Sequence, residues 1–339
     1  MSESRYSRQQ RLAQIGPDGQ ESIGAATVAV IGLGALGSVS ADLLARAGVG
    51  KLLLIDRDVV EISNLQRQVL YTEEDANELR PKAEAAAERL AVVNSTIDSL
   101  ALPVDLTAAN IQELLADVSL IMDGTDNFAT RYLLNDYAVR EAKPYVYAGV
   151  VSTHGMLGTI LPGGPCLRCT WPQPPDATTT PTCRSAGVLG PAVSVIAGWA
   201  CADALKILTG QVEAVQKGYR YLDVWKGQMQ FIHAVLDDAC PCCQDHSFEW
   251  LTGHHGSIDA QVVCSGDAVQ LPAGAHAIDL VAMAEKLEGT VLDLQSSVRF
   301  LRFRIQELDV LLFMDGRALV RGTGDIARAR AVVAETIGA

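Results

Sequence analysis

The sequence predicts an α/β fold: a Rossmann-like, doubly wound and mostly parallel sheet with a structural zinc site, plus a small C-terminal α+β domain. Three observations predict it. The stretch TVAVIGLGALGSVSADLLARAGVGKLLLID, residues 27–56, reads as apolar strand, glycine turn, small-residue helix, second apolar strand and terminal acid. Strands and helices then keep alternating, the pattern of parallel strands joined by helical crossovers. Two Cys-x-x-Cys pairs, Cys166/Cys169 and Cys240/Cys243, close this region, and two such knuckles supply four thiolates for tetrahedral zinc.

The elements follow in order. Residues 27–31 are a buried strand, 36–47 a helix stopped by Gly48, and 51–56 a second strand. Residues 81–93 form an Ala-rich helix, 118–123 a buried strand, and 128–141 a helix that ends before Lys143-Pro144. Residues 145–150 and 156–161 are strands. The Pro-, Gly- and Thr-rich stretch 162–190 reads as a long irregular loop, a feature often tied to function. A helix at 191–208 and strands at 219–223 and 228–236 complete a first domain over residues 1–245. Residues 246–258 read as a linker. The remainder of 246–339, with helices near 276–286 and 325–336, reads as a small accessory domain.

Bulk properties exclude several classes. A chain of 339 residues that is 49% hydrophobic can bury a large core. Its net charge of −13 argues against nucleic acid as a main partner, because polyanions bind clustered Lys and Arg. The start MSESRYSRQQRLAQ has no apolar centre and the apolar runs are short, so neither a signal peptide nor a membrane span is expected. A cytoplasmic location follows as an expectation. There, the eight cysteines point to metal or thiol chemistry rather than a disulfide framework.

Gly32-Leu-Gly-Ala-Leu-Gly37 is a GxGxxG turn between strand and helix. Gly32 allows the tight turn, Gly34 lets the backbone approach a phosphate or ribose, and Gly37 allows close helix–strand packing. Asp56 ends the second strand, where a carboxylate can accept both ribose hydroxyls. Asp58, two residues on, fits a ligand role or a turn role equally. Next comes Val-Glu-Ile-Ser-Asn64-Leu-Gln66-Arg67-Gln-Val. A nicotinamide enzyme has no need of this cluster, whereas a triphosphate suits arginine's planar fork. Lys82 adds a second positive charge. Asp126, in Asp-Gly-Thr-Asp-Asn just after a buried strand, suits Mg²⁺ held jointly with phosphate oxygens.

Other residues carry weaker signals. Cys183, beside Arg184 in the loop, is a candidate nucleophile, since a neighbouring cation lowers a thiol's pKa. Cys242 is a spare sulfur whose spacing fits a metal site less well than that of its neighbours. Cys201 reads as core and Cys264 as a buried strand residue. The six histidines, His254 and His255 included, form no catalytic pattern.

Residues 5–245 resemble the ThiF/MoeB/HesA family, bacterial relatives of ubiquitin-activating enzymes. The resemblance rests on RYSRQ, GLGALG, LLLID, SNLQRQ, Pro81-Lys82, GTDN, both Cys-x-x-Cys pairs and TCRSAGVLGP. Ala35 departs from it, where a further glycine is common. The resemblance implies ATP-dependent adenylation of the C-terminal carboxylate of a small β-grasp carrier protein ending in Gly-Gly. It implies that Asp56 holds the ribose, Arg67 and Lys82 the phosphates, and Asp126 Mg²⁺, with Asn64 and Gln66 lining the nucleotide site. It further implies a homodimer in which Arg8 reaches the partner's ATP. Cys183 matches a loop cysteine that some members link covalently to the carrier. A separate persulfide-bearing protein would then donate sulfur for a thiocarboxylate, feeding thiamine, molybdopterin or tRNA thiolation. Some longer members deliver sulfur from an attached rhodanese domain, but residues 246–339 are short for one. Three readings compete with this: adenylation of a tRNA or small-molecule carboxylate, an NAD-dependent dehydrogenase, and a nucleotide-binding scaffold.

Overall fold

A computed structural model describes residues 5–175, 183–253, 261–262, 267–272, 277–297 and 300–337, with the side chains of residues 183, 184, 261 and 262 outside that description. Cys264, His254, His255 and the Cys183 side chain therefore fall outside the described residues. The chain divides into two compact units, residues 1–255 and 256–339.

The first unit opens with two helices, α1 (Ser7–Gln10) and α2 (Gly16–Ala25), followed by β1 (Thr27–Ile31), α3 (Ala35–Ala47) and β2 (Lys51–Ile55). Then come α4 (Glu73–Asn77), α5 (Lys82–Val93), β3 (Asp98–Leu102), α6 (Ile111–Leu114), β4 (Leu120–Asp123) and α7 (Phe128–Arg140). The hairpin β5 (Tyr145–Val151) and β6 (His154–Ile160) leads to α8 (Leu167–Thr170), α9 (Cys183–Ala186) and α10 (Gly190–Leu208), and β7 (Tyr219–Asp223) and β8 (Gln228–Ile232) finish the sheet.

The eight strands run in the order β3-β2-β1-β4-β5-β6-β7-β8. From β3 to β5 every pair is parallel. From β5 to β8 every pair is antiparallel. The parallel half winds outward in both directions from the β1/β4 boundary. That boundary is the switch point where open α/β sheets bind ligands, beyond the carboxyl ends of the strands.

Period-2 alternation splits the core across the two sheet faces. Val28, Val30, Leu52 and Leu54 face α3, α5 and α10 in one fully buried cluster. Ala29, Ile31, Leu53 and Ile55 face α7 and the four-cysteine region in the other. Each fully buried leucine contributes roughly 1.5–3 kcal/mol. Among the described residues α10 is the one helix long and apolar enough to cross a membrane, and half of it is buried. Val193, Ile196, Ala197 and Ala200 of that helix belong to the first core cluster.

Several elements differ from the sequence reading. The strand expected to run to residue 236 stops at Ile232, and the one expected from 118 begins at Leu120. The 162–190 stretch holds two four-residue helices, α8 and α9. The last three strands join antiparallel, so the parallel character covers the first five strands. Phe248 and Trp250, in the segment read as linker, pack on the second core cluster. The Trp250 ring lies 5.2 Å from that of Tyr132.

Among the described residues the second unit is a six-stranded sheet with two helices. Its elements are β9 (Gln261–Val262), β10 (Ala268–Leu271), α11 (Leu280–Leu287), β11 (Leu292–Ser296), β12 (Phe300–Ile305), β13 (Leu308–Phe313), β14 (Ala318–Arg321) and α12 (Ile326–Ile337). The order is β11-β12-β13-β14-β10-β9, and every pair is antiparallel. Its own core joins Val269, Leu301, Phe303, Val310 and Leu312 to Val332 and Val333 of α12. Asp279 caps α11 by accepting from the Val281 and Ala282 amides.

Candidate nucleotide and metal-binding sites

The glycine turn is built by contact distances. A Cβ on Gly37 would sit 1.8 Å from the Gly32 carbonyl oxygen, so only glycine lets α3 approach β1 this closely. Gly32 itself has φ +79°. At Gly34, the N-cap of α3, the nearest outside atom to such a Cβ is Gln68 Nε2 at 3.8 Å, which leaves the helix N-terminus open. Ala35 has no positive φ and fits as the first residue of α3.

Asp56 fastens this turn. Its Oδ2 accepts from the Leu33 amide at 2.6 Å and its Oδ1 from the Asp58 amide at 2.7 Å. Tyr71 donates its hydroxyl to the Leu33 carbonyl at 2.8 Å. Burial raises the Asp56 carboxyl above its ordinary pKa, opposed by Lys82 and reinforced by Asp58. Lys82, the first residue of α5, places its Nζ 3.0 Å from Asp58 Oδ2. Burial alone would lower its pKa, but Asp58, Asp56 and Asp126 together raise it, so the ammonium stays charged. Asp56, Asp58, Lys82 and Asp126 therefore share one electrostatic neighbourhood beside the glycine turn.

The Ser-Asn-Leu-Gln-Arg-Gln segment follows a 3-10 turn over Ile62–Asn64. Asn64 is buried and accepts the Glu61 amide at 3.2 Å, so it shapes this turn. Gln66 is exposed, and its carbonyl lies 3.3 Å from a Cβ placed on Gly190, which seats the segment against the start of α10. Arg67 Nη1 donates to the Ser63 carbonyl at 2.9 Å. Gln68 went unnoticed in the sequence. It is buried next to Gly34, and its Oε1 has no hydrogen-bond partner among the described residues.

Asp126 stands exposed at the end of a braced loop. Below it, Asp123 Oδ1 accepts from the Thr125 amide and hydroxyl at 2.8 and 2.7 Å, and its Oδ2 accepts from the Tyr145 hydroxyl at 2.7 Å. Arg131 Nη2 donates to the carbonyls of Thr125 and Ala148 at 2.7 and 3.0 Å. Asn127 caps α7 by accepting the Thr130 amide. Sequence reasoning missed Arg131 and Tyr145. An arginine one helical turn past an Asn cap was the available signal.

Arg8 is exposed on α1. Its neighbour Gln9 donates to the Ala47 carbonyl at 2.9 Å, at the C-terminal end of α3. That end lies about 20 Å along the helix from the glycine turn. Within one chain, α1 and the glycine turn therefore sit at opposite ends of α3.

The four predicted cysteines come together. The sulfurs of Cys166, Cys169, Cys240 and Cys243 all lie within 4.8 Å of one another. Cys166–Cys240 measures 3.6 Å, Cys169–Cys243 3.4 Å and Cys166–Cys169 4.0 Å. Tetrahedral zinc with bonds of about 2.3 Å requires sulfur separations of about 3.8 Å, so the set fits a metal without rearrangement. The Cys166 thiol is lowered to about 5, first by its hydrogen bond with Cys242 and against burial. Cys242 is fully buried but lies outside the four-sulfur group. Cys201 is core, as expected, and burial pushes its thiol up to about 12.

Between the two sites lies an apolar cavity of about 190 Å³, with Phe128, Tyr147, Met156, Leu167 and Trp171 among its walls.

The ThiF family model matches residues 6–242. The chain is 42% identical over 338 residues to the sulfur carrier protein ThiS adenylyltransferase of Bacillus subtilis, covering 98% of this chain and 99% of the relative. It is 38% identical over 243 residues to the enzyme of the same name from Escherichia coli, covering 70% and 94%. It is 35% identical to the SAMP-activating enzyme E1 of Haloferax volcanii, covering 70% and 88%. The crystal structure of Escherichia coli MccB with ATP superposes with a TM-score of 0.62 at 23% identity, covering 71% of this chain and 75% of that one, which supports the fold.

Proposed function

The chain belongs to the ThiF family, and from that premise we propose that it is an ATP-dependent adenylyltransferase for a small ubiquitin-like sulfur-carrier protein ending in Gly-Gly. The carrier's C-terminal carboxylate attacks the α-phosphorus of ATP. A carboxyl–AMP anhydride forms and pyrophosphate leaves.

The observation that carries this reading is the buried Lys82 ammonium, held in reach of Asp56, Asp58 and Asp126 beside an open helix N-terminus. Hydride transfer has no use for that arrangement. Phosphoryl chemistry needs little else, because its catalysis is positioning and charge stabilisation. In this reading Gly32, Gly34 and Gly37 admit the nucleotide, Asp56 accepts the ribose hydroxyls, and Asn64 and Gln66 line the site. Arg67 and Lys82 take the charge developing on the departing pyrophosphate. Asp126, exposed on a braced loop, fits a Mg²⁺ ligand, and the ion would neutralise phosphate charge when bound. The four cysteines would hold a closed, structural zinc.

Arg8 sits too far along α3 to serve its own glycine turn without a second copy, which supports a homodimer with arginine donated across it. The apolar cavity between the two sites suits an apolar side chain of the carrier near its tail. Cys183 would attack the carrier adenylate, forming a thioester as AMP leaves. The persulfide of a separate donor protein would displace Cys183 to give an acyl disulfide. Cys183 would then attack the donor sulfur, releasing the thiocarboxylate and leaving a Cys183–donor disulfide for an external thiol to reduce. Residues 246–339 act as an accessory domain.

The test is exchange of radiolabelled pyrophosphate into ATP, with and without each Gly-Gly-ending carrier of the same source. Carrier-dependent exchange that is lost in Asp126→Ala is expected. No exchange with any carrier, despite ATP binding, would move the reading to a tRNA or small-molecule carboxylate. Full exchange in Asp126→Ala would sink the magnesium assignment.

A further inference from the structure

The sequence Cys240-Pro-Cys242-Cys243 offers three sulfurs where a four-thiolate site needs two. We propose that Asn135, on α7, is the positioning residue that settles the choice: it holds Cys242 out of the ligand set and ties the two cysteine knuckles to one another. The proposal rests on the reading of the four-cysteine cluster as a metal site.

Asn135 is fully buried and has both ends of its amide occupied by the knuckles. Its Oδ1 accepts from the amide of Leu167, the residue after Cys166, at 2.8 Å. Its Nδ2 donates to Cys242 Sγ, the residue before Cys243, at 3.3 Å. One planar amide thus grips a non-ligand position in each knuckle, across 107 residues of sequence in the second case. Cys242 also hydrogen-bonds Cys166, so the Asn135 contact keeps a sulfur that touches the cluster outside the four that lie within 4.8 Å of one another.

The surroundings reinforce this grip. Asp136, next on α7, accepts the Trp250 amide at 3.1 Å. Arg168, inside the first knuckle and almost fully buried, reaches Glu249 at 3.1 Å and Asp136 at 3.9 Å. The second knuckle, the first knuckle and the 249–250 segment therefore all meet on one turn of α7. Partners of this kind orient metal ligands, and losing one typically costs about 10- to 100-fold in metal affinity.

The experiment uses the full chain loaded with Co²⁺, whose thiolate charge-transfer bands report ligand number, followed by release to a chelator. Wild type and Cys242→Ser are expected to give the same four-thiolate spectrum. Asn135→Leu is expected to release Co²⁺ at least 10-fold faster, with a changed ligand-field band. Asn135→Asp keeps the acceptor for Leu167 but loses the donor to Cys242, so it should fall between the two. It also decides the matter if Asn135→Leu does not fold. Loss of charge-transfer intensity in Cys242→Ser would overturn the proposal. So would release at the wild-type rate from both Asn135 variants. Failure of wild type to bind Co²⁺ at all would instead overturn the metal reading beneath it.

Discussion

The Lys82 ammonium lies 3.0 Å from the Asp58 carboxylate, with its side chain almost wholly buried. An ammonium so placed is charged and aimed before any nucleotide arrives. Replacing it with methionine keeps the stem and removes the charge. Lys82→Met should lower kcat/KM for pyrophosphate exchange by about 100- to 1,000-fold, with a smaller change in ATP affinity. An affinity loss as large as the rate loss would mean that Lys82 only binds the ground state.

The glycine turn offers a paired comparison. Gly37→Ala puts a methyl 1.8 Å from a backbone oxygen that cannot rotate away. It should destabilise the protein by roughly 3 kcal/mol or leave it insoluble. Gly34→Ala meets nothing nearer than 3.8 Å and should fold normally. It should nevertheless weaken ATP binding, since the methyl occupies the open N-terminus of α3. Thermal melts and ATP titrations read both, and normal ATP binding by Gly34→Ala would remove the phosphate from that position.

Asp56 sets a pH dependence. Burial raises its carboxyl above the ordinary value of 3.8, so the folded chain takes up a proton at a higher pH than the unfolded chain does. The stability this group contributes is therefore greatest at low pH and falls as pH rises from about 4 through the raised value. ATP affinity runs the opposite way, because the ribose needs the ionised carboxylate. ATP dissociation constants from pH 4 to 8 should weaken on the acid side with an inflection above 3.8, and Asp56→Asn should flatten that limb. An unchanged limb in the variant would assign the titration to another group.

Four thiolates at tetrahedral spacing should bind one zinc ion per chain, measurable by elemental analysis. Cys166→Ser or Cys240→Ser should lose it. Melting temperature should drop by roughly 10 °C, about 3–5 kcal/mol in a unit of this size. A melt insensitive to chelation would leave the knuckles as packed thiols.

The sequence disclosed the parts of this fold that follow a simple period. KLLLI and TVAVI are continuous apolar runs because both faces of their strands are covered, and they stand where expected. The four-cysteine cluster was visible for a similar reason, since paired Cys-x-x-Cys spacing is itself a metal-site pattern. By contrast β3, DSLAL, lies at the sheet edge with much of its surface exposed, so no run marks it. Helix α2 begins Gly-Pro-Asp-Gly, a turn signature that tertiary packing of Ile23 overrides. Of the site residues that escaped notice, Arg131 and Asn135 act through buried guanidinium and amide contacts with groups distant in sequence, and Gln68 lies buried beside Gly34. Nothing local in the sequence records those contacts.

The two knuckles are 74 residues apart along the chain, and α10, β7 and β8 lie between them. A metal shared by both would close that stretch into a ring. A protease cut between Trp171 and Gly190 would then yield two fragments joined through the metal as well as through the β6–β7 pairing that spans the cut. The chain could be severed there and the molecule would still not come apart.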